Sequence, residues 1–149
     1  IIMSLRFSTG LRAGLLAVGS LKTLLAGSEL RLYAGPVPAS VDNAIGASNQ
    51  LLCVIRNDGL TGLNFEGTAP DGLIAKKATE TWRGTNIASG QAAFYRHVLM
   101  ADTDTSSASE IRIQGTVGLA GADMNISNTA LVTGAVQSLE AYTIALPEV

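Results

Sequence analysis

At 149 residues the chain has the length of one ordinary domain, enough to bury a core without disulfides or metals as obligatory staples. Hydrophobic residues make up 47% and charged residues 15%, with a mean hydropathy of +0.31; this excludes a disordered chain and predicts apolar surface that copies of the chain or a larger assembly would cover. Ten basic and twelve acidic residues leave a net charge of −2 with no run of like charges, so no electrostatic footprint for nucleic acid or an anionic membrane is expected.

The N-terminal stretch is apolar, but Arg12 and Lys22 leave no uncharged span adequate to cross a bilayer. No signal peptide is read there, and Met3 is a candidate natural initiator. The segment IIMSLRF, residues 1–7, is read as an arm that orders against a larger shell. From Ser8 to about Ala26, Leu11, Leu15, Val18, Leu21, Leu24 and Leu25 recur at spacings of three, four and seven, which predicts an amphipathic helix. Ser8 or Thr9 caps its start. Gly10, Gly14 and Gly19 weaken it by roughly 1 kcal/mol each, and a break falls around Gly19 and Ser20.

After Gly27 the period changes to two. In SELRLYAG, Leu30 and Leu32 take one face and Glu29, Arg31 and Tyr33 the other. The prolines of PVPAS turn the chain before NQLLCVIRNDG, an apolar strand ended by Asp58-Gly59. Short segments bounded by Gly, Asn, Asp or Ser then follow to the C-terminus, among them ETWRGTNI and GQAAFYRHVLM, expected as two strands joined near Ala88 to Gly90. The strand from Ile111 to Gly115 is expected to pair with a central last strand over residues 137–146. Together these predict a mainly β fold, an antiparallel β-sandwich of jelly-roll or immunoglobulin-like type, preceded by the N-terminal amphipathic helix. Residues 1–27 form the arm and helix and residues 28–149 the sandwich domain, a single compact unit.

Candidate chemistry is sparse. The sole Trp, Trp82, and the sole His, His97, lie close in sequence with Phe94, Tyr95 and Arg96 between them. On a strand, Tyr95, His97 and Leu99 share one face and Phe94, Arg96, Val98 and Met100 the other, so each face mixes apolar and polar groups. No GxSxG elbow supplies a nucleophile for His97 to serve, and the pattern fits strand packing or an interface better than a triad. Trp82, Phe94, Tyr95 and His97, with Phe7, Leu11 and Leu15 from the N-terminal region, are the expected core or interface anchors. His97→Ala is expected to leave folding nearly intact.

The single Cys53, within LLCVI, forms no intramolecular disulfide. One Cys and one His do not make a soft-ligand zinc site. The loop ADTDTSSASE gathers Asp102, Asp104, Ser106 and Glu110, hard oxygen donors of the kind calcium takes, without the central glycine or full spacing of an EF-hand; the alternative is a solvated hairpin loop. GLRAGLLAVG lacks GxGxxG and the ending of a phosphate-binding loop. No catalytic residue and no cofactor is expected.

The stretches LRFSTGLRAGLLAVGSLKTLLAGSELRLYAGPVPASVDNAIG, ETWRGTNIASGQAAFYRHV, RIQGTVGLAGADMNIS and the terminal YTIALP together resemble small virion structural proteins of tailed bacteriophages and prophages, over almost the whole chain. The likeness is to the overall string, and no functional residue is carried across. It implies a non-enzymatic particle component assembled in the bacterial host cytoplasm. Its first station would be that of a capsid decoration or cement protein, with the major capsid protein and its own copies, as dimer or trimer, for partners. The alternatives are a tail, collar or head-fibre component, and a carbohydrate-binding module with Trp82, Tyr95 or Tyr33 stacking on sugar rings.

Overall fold

The computed structural model describes residues 5–146. Arg6–Phe7 form β1, and Ser8 then caps helix α1, Thr9–Ala17, accepting the Leu11 N–H at 3.1 Å. The same Ser8 hydroxyl donates to the Glu110 carbonyl at 2.7 Å and accepts the Arg112 N–H at 3.0 Å, so the cap also fixes the helix to the strand beneath it. A Cβ at Gly10 would overlap the backbone of Ser109, which is why glycine sits there despite its poor helix propensity. The helix stops at Val18, and Ser20 caps a second turn, α2, Leu21–Leu24, through the Thr23 N–H at 3.2 Å. The break thus falls where Gly19 and Ser20 weaken the long periodic segment. The arm reading is corrected in part: residues 1–4 lie outside the described residues, but Arg6 and Phe7 are already ordered as a strand of this chain.

The remaining strands are β2, Ser28–Ala34; β3, Gln50–Asn57; β4, Leu73–Ala75; β5, Trp82–Thr85; β6, Gly90–Gln91; β7, Phe94–Leu99; β8, Arg112–Gly118; β9, Met124–Asn125; β10, Ala130–Leu131; β11, Val136–Leu139; and β12, Thr143–Ala145. The chain is mainly β. One large antiparallel sheet runs in the order β1-β8-β7-β2-β3-β5-β11, and β9 adds in parallel to β8. Two short ladders, β4 with β12 and β6 with β10, stand apart from it.

Two expectations about pairing are overturned. β5 and β7 are strands, but they are not neighbours: β5 pairs with β3 and β11, β7 with β2 and β8. The last segment is not a central strand. It divides at Glu140-Ala141 into β11, on the sheet edge, and β12, on β4, because Tyr142 turns inward and is buried between them. β8 is unavailable to it, its sides being taken by β7 and by β1 and β9.

The inner face of the sheet carries the core. Across it Ile55, Leu30, His97, Ile113 and Phe7 stand in register, with Cys53, Leu32, Tyr95 and Gly115 in the next row. A Cβ at Gly115 would lie 2.8 Å from the Tyr95 ring, so the glycine makes room for the aromatic above it. Phe65, Trp82, Tyr95, His97 and Tyr142 form one aromatic cluster with ring centroids 5.4–6.3 Å apart. Leu11 is fully buried beneath α1, while Leu15 and Phe7 are partly buried against the same core. Phe94 points the other way, stacked on Tyr33 at 5.2 Å, and is equally buried.

Burial of His97 reverses its expected indifference to substitution. Its ring fills core volume and bonds to two hydroxyls, so His97→Ala opens a cavity and strands Ser28 and Tyr142. In denaturant melts Phe94→Ala is expected to cost about 3–5 kcal/mol, and His97→Ala roughly 2–4 kcal/mol instead of nothing.

Candidate functional site: a buried arginine face

The polar face of the sheet, which alternation would send to water, is covered over β8, β7 and β2, and stays open over β5 and β11, where Arg83, Thr85 and Val136 are exposed. Side by side across it stand Val54, Arg31, Arg96, Gln114 and Arg6, one from each of five adjacent strands. Glu29, Val98 and Arg112 follow in the next row, with Arg56 reaching Glu29 from β3. Arg96, Arg112, Glu29 and Gln114 are buried. Burying this much charge is costly without partners, and Glu29 together with two loops, residues 36–49 and 100–111, supplies most of them.

The first loop offers carbonyls. Arg6 donates to Ala39 O at 2.9 Å, Arg112 to Val41 O at 3.3 Å and Arg96 to Asn43 O at 2.8 Å, so alternate carbonyls of a turning stretch face the sheet. Gln114 adds a bond to Pro38 O at 2.9 Å. The second loop offers carboxylates and further carbonyls. Arg112 grips Asp102 with two bonds, Nε to Oδ2 at 2.6 Å and Nη2 to Oδ1 at 2.8 Å, and also reaches Thr105 O at 2.7 Å. Arg31 binds Glu29 and Asp104 and the carbonyl of Asp102, and the Tyr33 hydroxyl donates to Asp104. The loops are then tied to one another, Ile45 N–H to Asp104 O at 2.9 Å and Ser107 N–H to Asp42 O at 2.8 Å.

The charges do not balance exactly as pairs. Arg31, Arg56, Arg96 and Arg112 face Glu29, Asp102 and Asp104, and the excess cation is carried by carbonyl oxygens. Arg96 shows this best: its Nε and Nη2 are bonded, while Nη1 stands 4.0 Å from Asp104 Oδ1 and neither atom has a hydrogen-bond partner. Burial and the neighbouring Arg112 lower its pKa. Burial pushes the Asp102 carboxyl up, but the hydrogen bonds from Arg112 and the Asp104 N–H, with the charges of Arg112 and Arg31, hold it below the usual carboxylate value.

This geometry replaces the calcium reading. Asp102 and Asp104 are committed to arginines, and Ser106 accepts the Ala44 N–H at 3.2 Å. Glu110 is engaged through its backbone carbonyl by Ser8. A dication here would meet the guanidinium groups of Arg31, Arg96 and Arg112, and among the described residues no three His, Cys, Asp or Glu side chains converge to hold a metal ion.

The other anchors are internal too. His97 lies between the Ser28 hydroxyl at 2.6 Å and the Tyr142 hydroxyl at 3.1 Å, and burial lowers its pKa to about 3. It is therefore neutral at ordinary pH, with no carboxylate to orient it as a base. Trp82 is buried, its indole N–H donating to Glu80 Oε2 at 2.8 Å, and Tyr33 and Tyr95 are buried as well. Burial pushes the Cys53 thiol up to about 11, which leaves it unreactive. A surface groove of about 610 Å³ lies outside β3 and β5, lined by Arg56, Asp58, Arg83 and Thr85 among others, with Asp58 and Arg83 paired at 2.9 Å.

Sequence reasoning named Asp102 and Asp104 but missed the arginines they serve. One signal was present: seven of the ten basic residues are Arg, the side chain suited to bidentate and buried pairing. Asp102→Ala is expected to cost about 3–5 kcal/mol in denaturant melts by stranding Arg112, whereas Asp102→Leu combined with Arg112→Met costs clearly less than the single change. Additive losses in the two variants would contradict the pairing. Comparison with family models, with curated proteins and with solved structures finds no match for this chain.

Proposed function

We propose that the chain is a non-enzymatic structural component of a tailed-phage particle, and within it a capsid decoration or cement protein that holds neighbouring capsomers together by burying surface between them. The observation that carries this reading is the inversion of its surface chemistry. Arg31, Arg96, Arg112, Glu29 and Asp102 are turned inward, while Leu16, Val18, Leu60, Leu119, Val132 and Val136 each stand more than half exposed. Large apolar side chains in that number favour a protein that works by covering and being covered. A rigid fold with its loops tied down is also what repeated, identical contacts in a shell demand, since ordering costs at the interface are then small.

A tail, collar or head-fibre station would use the same surface in fewer copies. The carbohydrate-binding reading gains nothing from the geometry, because Trp82, Tyr95 and Tyr33 present no exposed ring for a sugar to stack on. A hydrolase reading lacks a positioned acid and base, His97 being neutral and enclosed.

Quantitative mass spectrometry of purified virions tests the proposal. A copy number comparable to that of the major capsid protein is expected. A handful of copies per particle would move the protein to the neck or tail, and absence from virions would overturn the structural reading.

A further inference from the structure

The open part of the sheet's polar face ends on an open strand. β11 is last in the strand order, which leaves its outer edge without a strand neighbour among the described residues. Such edges are ordinarily guarded by Lys, Pro or a bulge. Val136-Gln137-Ser138-Leu139 holds no charge and no Pro, and its pairing with β5 runs from Val136 opposite Thr85 to Leu139 opposite Trp82 without a register shift. The edge's free N–H and C=O groups are complementary to one thing, the main chain of another extended segment. A groove of about 430 Å³ follows this edge, lined by residues 136–141 on β11 and beyond it and by residues 125–127. A recess of that size suits a single extended segment better than the edge of another sheet, which would bring its own second strand with it.

The charge beside this edge says which segment. Arg6, Arg31, Arg56, Arg83, Arg96 and Arg112 stand on the polar face, and Glu29, Asp58, Asp102 and Asp104 answer them, so this face holds two surplus cations in a chain whose net charge is −2. The loops cover Arg31, Arg96 and Arg112, whereas Arg56 and Arg83 line the open groove over β3 and β5. These two stand directly opposite one another across β3 and β5, an unfavourable placing for like charges. Neither is fully matched from within: Arg56 shares Glu29 with Arg31, and Arg83 meets the exposed Asp58 through a single oxygen at 2.9 Å. Val136 lines both grooves, so they meet at β11. Ser138, opposite Arg83, is too short to screen it from the edge. A strand added to β11 would run about 10 Å from β5, a span that an Arg and a Glu side chain bridge together.

We infer that β11 takes up an extended acidic segment of a neighbouring protein as one further strand of the sheet, its main chain bonded to the β11 edge and a carboxylate on its polar-face side bonded to Arg83, with Arg56 behind. The inference rests on the reading of the chain as an assembly component, and it names the chemistry of a partner in that assembly. Main-chain bonds supply the hold, and the arginine pair selects the segment. Glu140, the one charged residue lining the edge groove, repels an acid at the far end of β11 and so sets the carboxylate toward Arg83.

An NMR titration of the purified full chain with the synthetic peptide Thr-Glu-Thr-Glu-Thr-Glu tests this without a particle. The peptide is expected to shift the β11 amides and the Arg83 Nε–H signal together, with one Kd on the order of 1 mM, and to slow hydrogen exchange along β11. Arg83→Gln, at an exposed side chain, is expected to weaken binding about tenfold, as is replacing each Glu of the peptide by Gln. An unmoved β11, or binding indifferent both to Arg83→Gln and to the glutamine peptide, overturns the inference. Shifts confined to the arginine signals and reproduced by inorganic phosphate would make the groove a small-anion site, and that also overturns the added strand. The copy number in virions decides the proposed function separately: absence from virions would overturn that function while a peptide bound along β11 leaves this site standing.

Discussion

The structure depends on the two bonds between Arg112 and Asp102, with both side chains fully removed from water. A sheet of this kind has one face for a core and one for solvent; here the second is also covered over β8, β7 and β2, and that part carries arginine. Desolvating a guanidinium is costly unless its N–H groups find acceptors, so the loops over this face are constrained by the bonds they accept. The chain between residues 38 and 43 must present alternate carbonyls, and the chain between 100 and 105 must present two carboxylates and three carbonyls. Asp104 takes a positive φ of 61° within that second loop, a conformation that Asp tolerates better than most residues.

Fixing the loops in this way has a consequence for the exterior. Charge that would ordinarily keep a protein apart from its neighbours is spent holding loops to a sheet, and apolar side chains are left outside. The N-terminal helix shows the same economy in reverse. Ser8 caps it and ties it to Glu110 and Arg112 at the start of β8, so Leu16 and Val18 are presented from a firmly seated helix rather than a loose arm. An interface built on such a platform loses little entropy on association, which links the internal network to the assembly role proposed here.

Much of the scaffold was legible in the sequence. The period-two pattern placed Leu30 and Leu32 opposite Glu29, Arg31 and Tyr33, and the helix break at Gly19 and Ser20 followed from glycine and a second cap. What alternation does not say is whether the polar face meets water or a covering loop. The cover in residues 36–49 and 100–111 contains few large hydrophobic residues, and its contacts run from side chain to carbonyl, which leaves no periodic trace. Strand partners were likewise hidden: β5 and β7 are close in sequence, but β2 and β3 stand between them in the sheet. His97 was misjudged for a related reason. A lone imidazole on a mixed face reads as a surface group until Tyr142, from 45 residues away, is seen to close over it.

The central claim is that the arginine-bearing part of the sheet's polar face, over β8, β7 and β2, is interior, sealed by loops that behave as part of the core. Amide hydrogen exchange resolved to single residues measures this directly, at Ile45 and Ser107, whose N–H groups bond from one loop to the other. Protection approaching that of the strand amides of β2 and β7, and its collapse in both loops at once when Asp102 is replaced, is the predicted result. Exchange of those two amides at the rate of open loops in the unaltered protein would contradict the account.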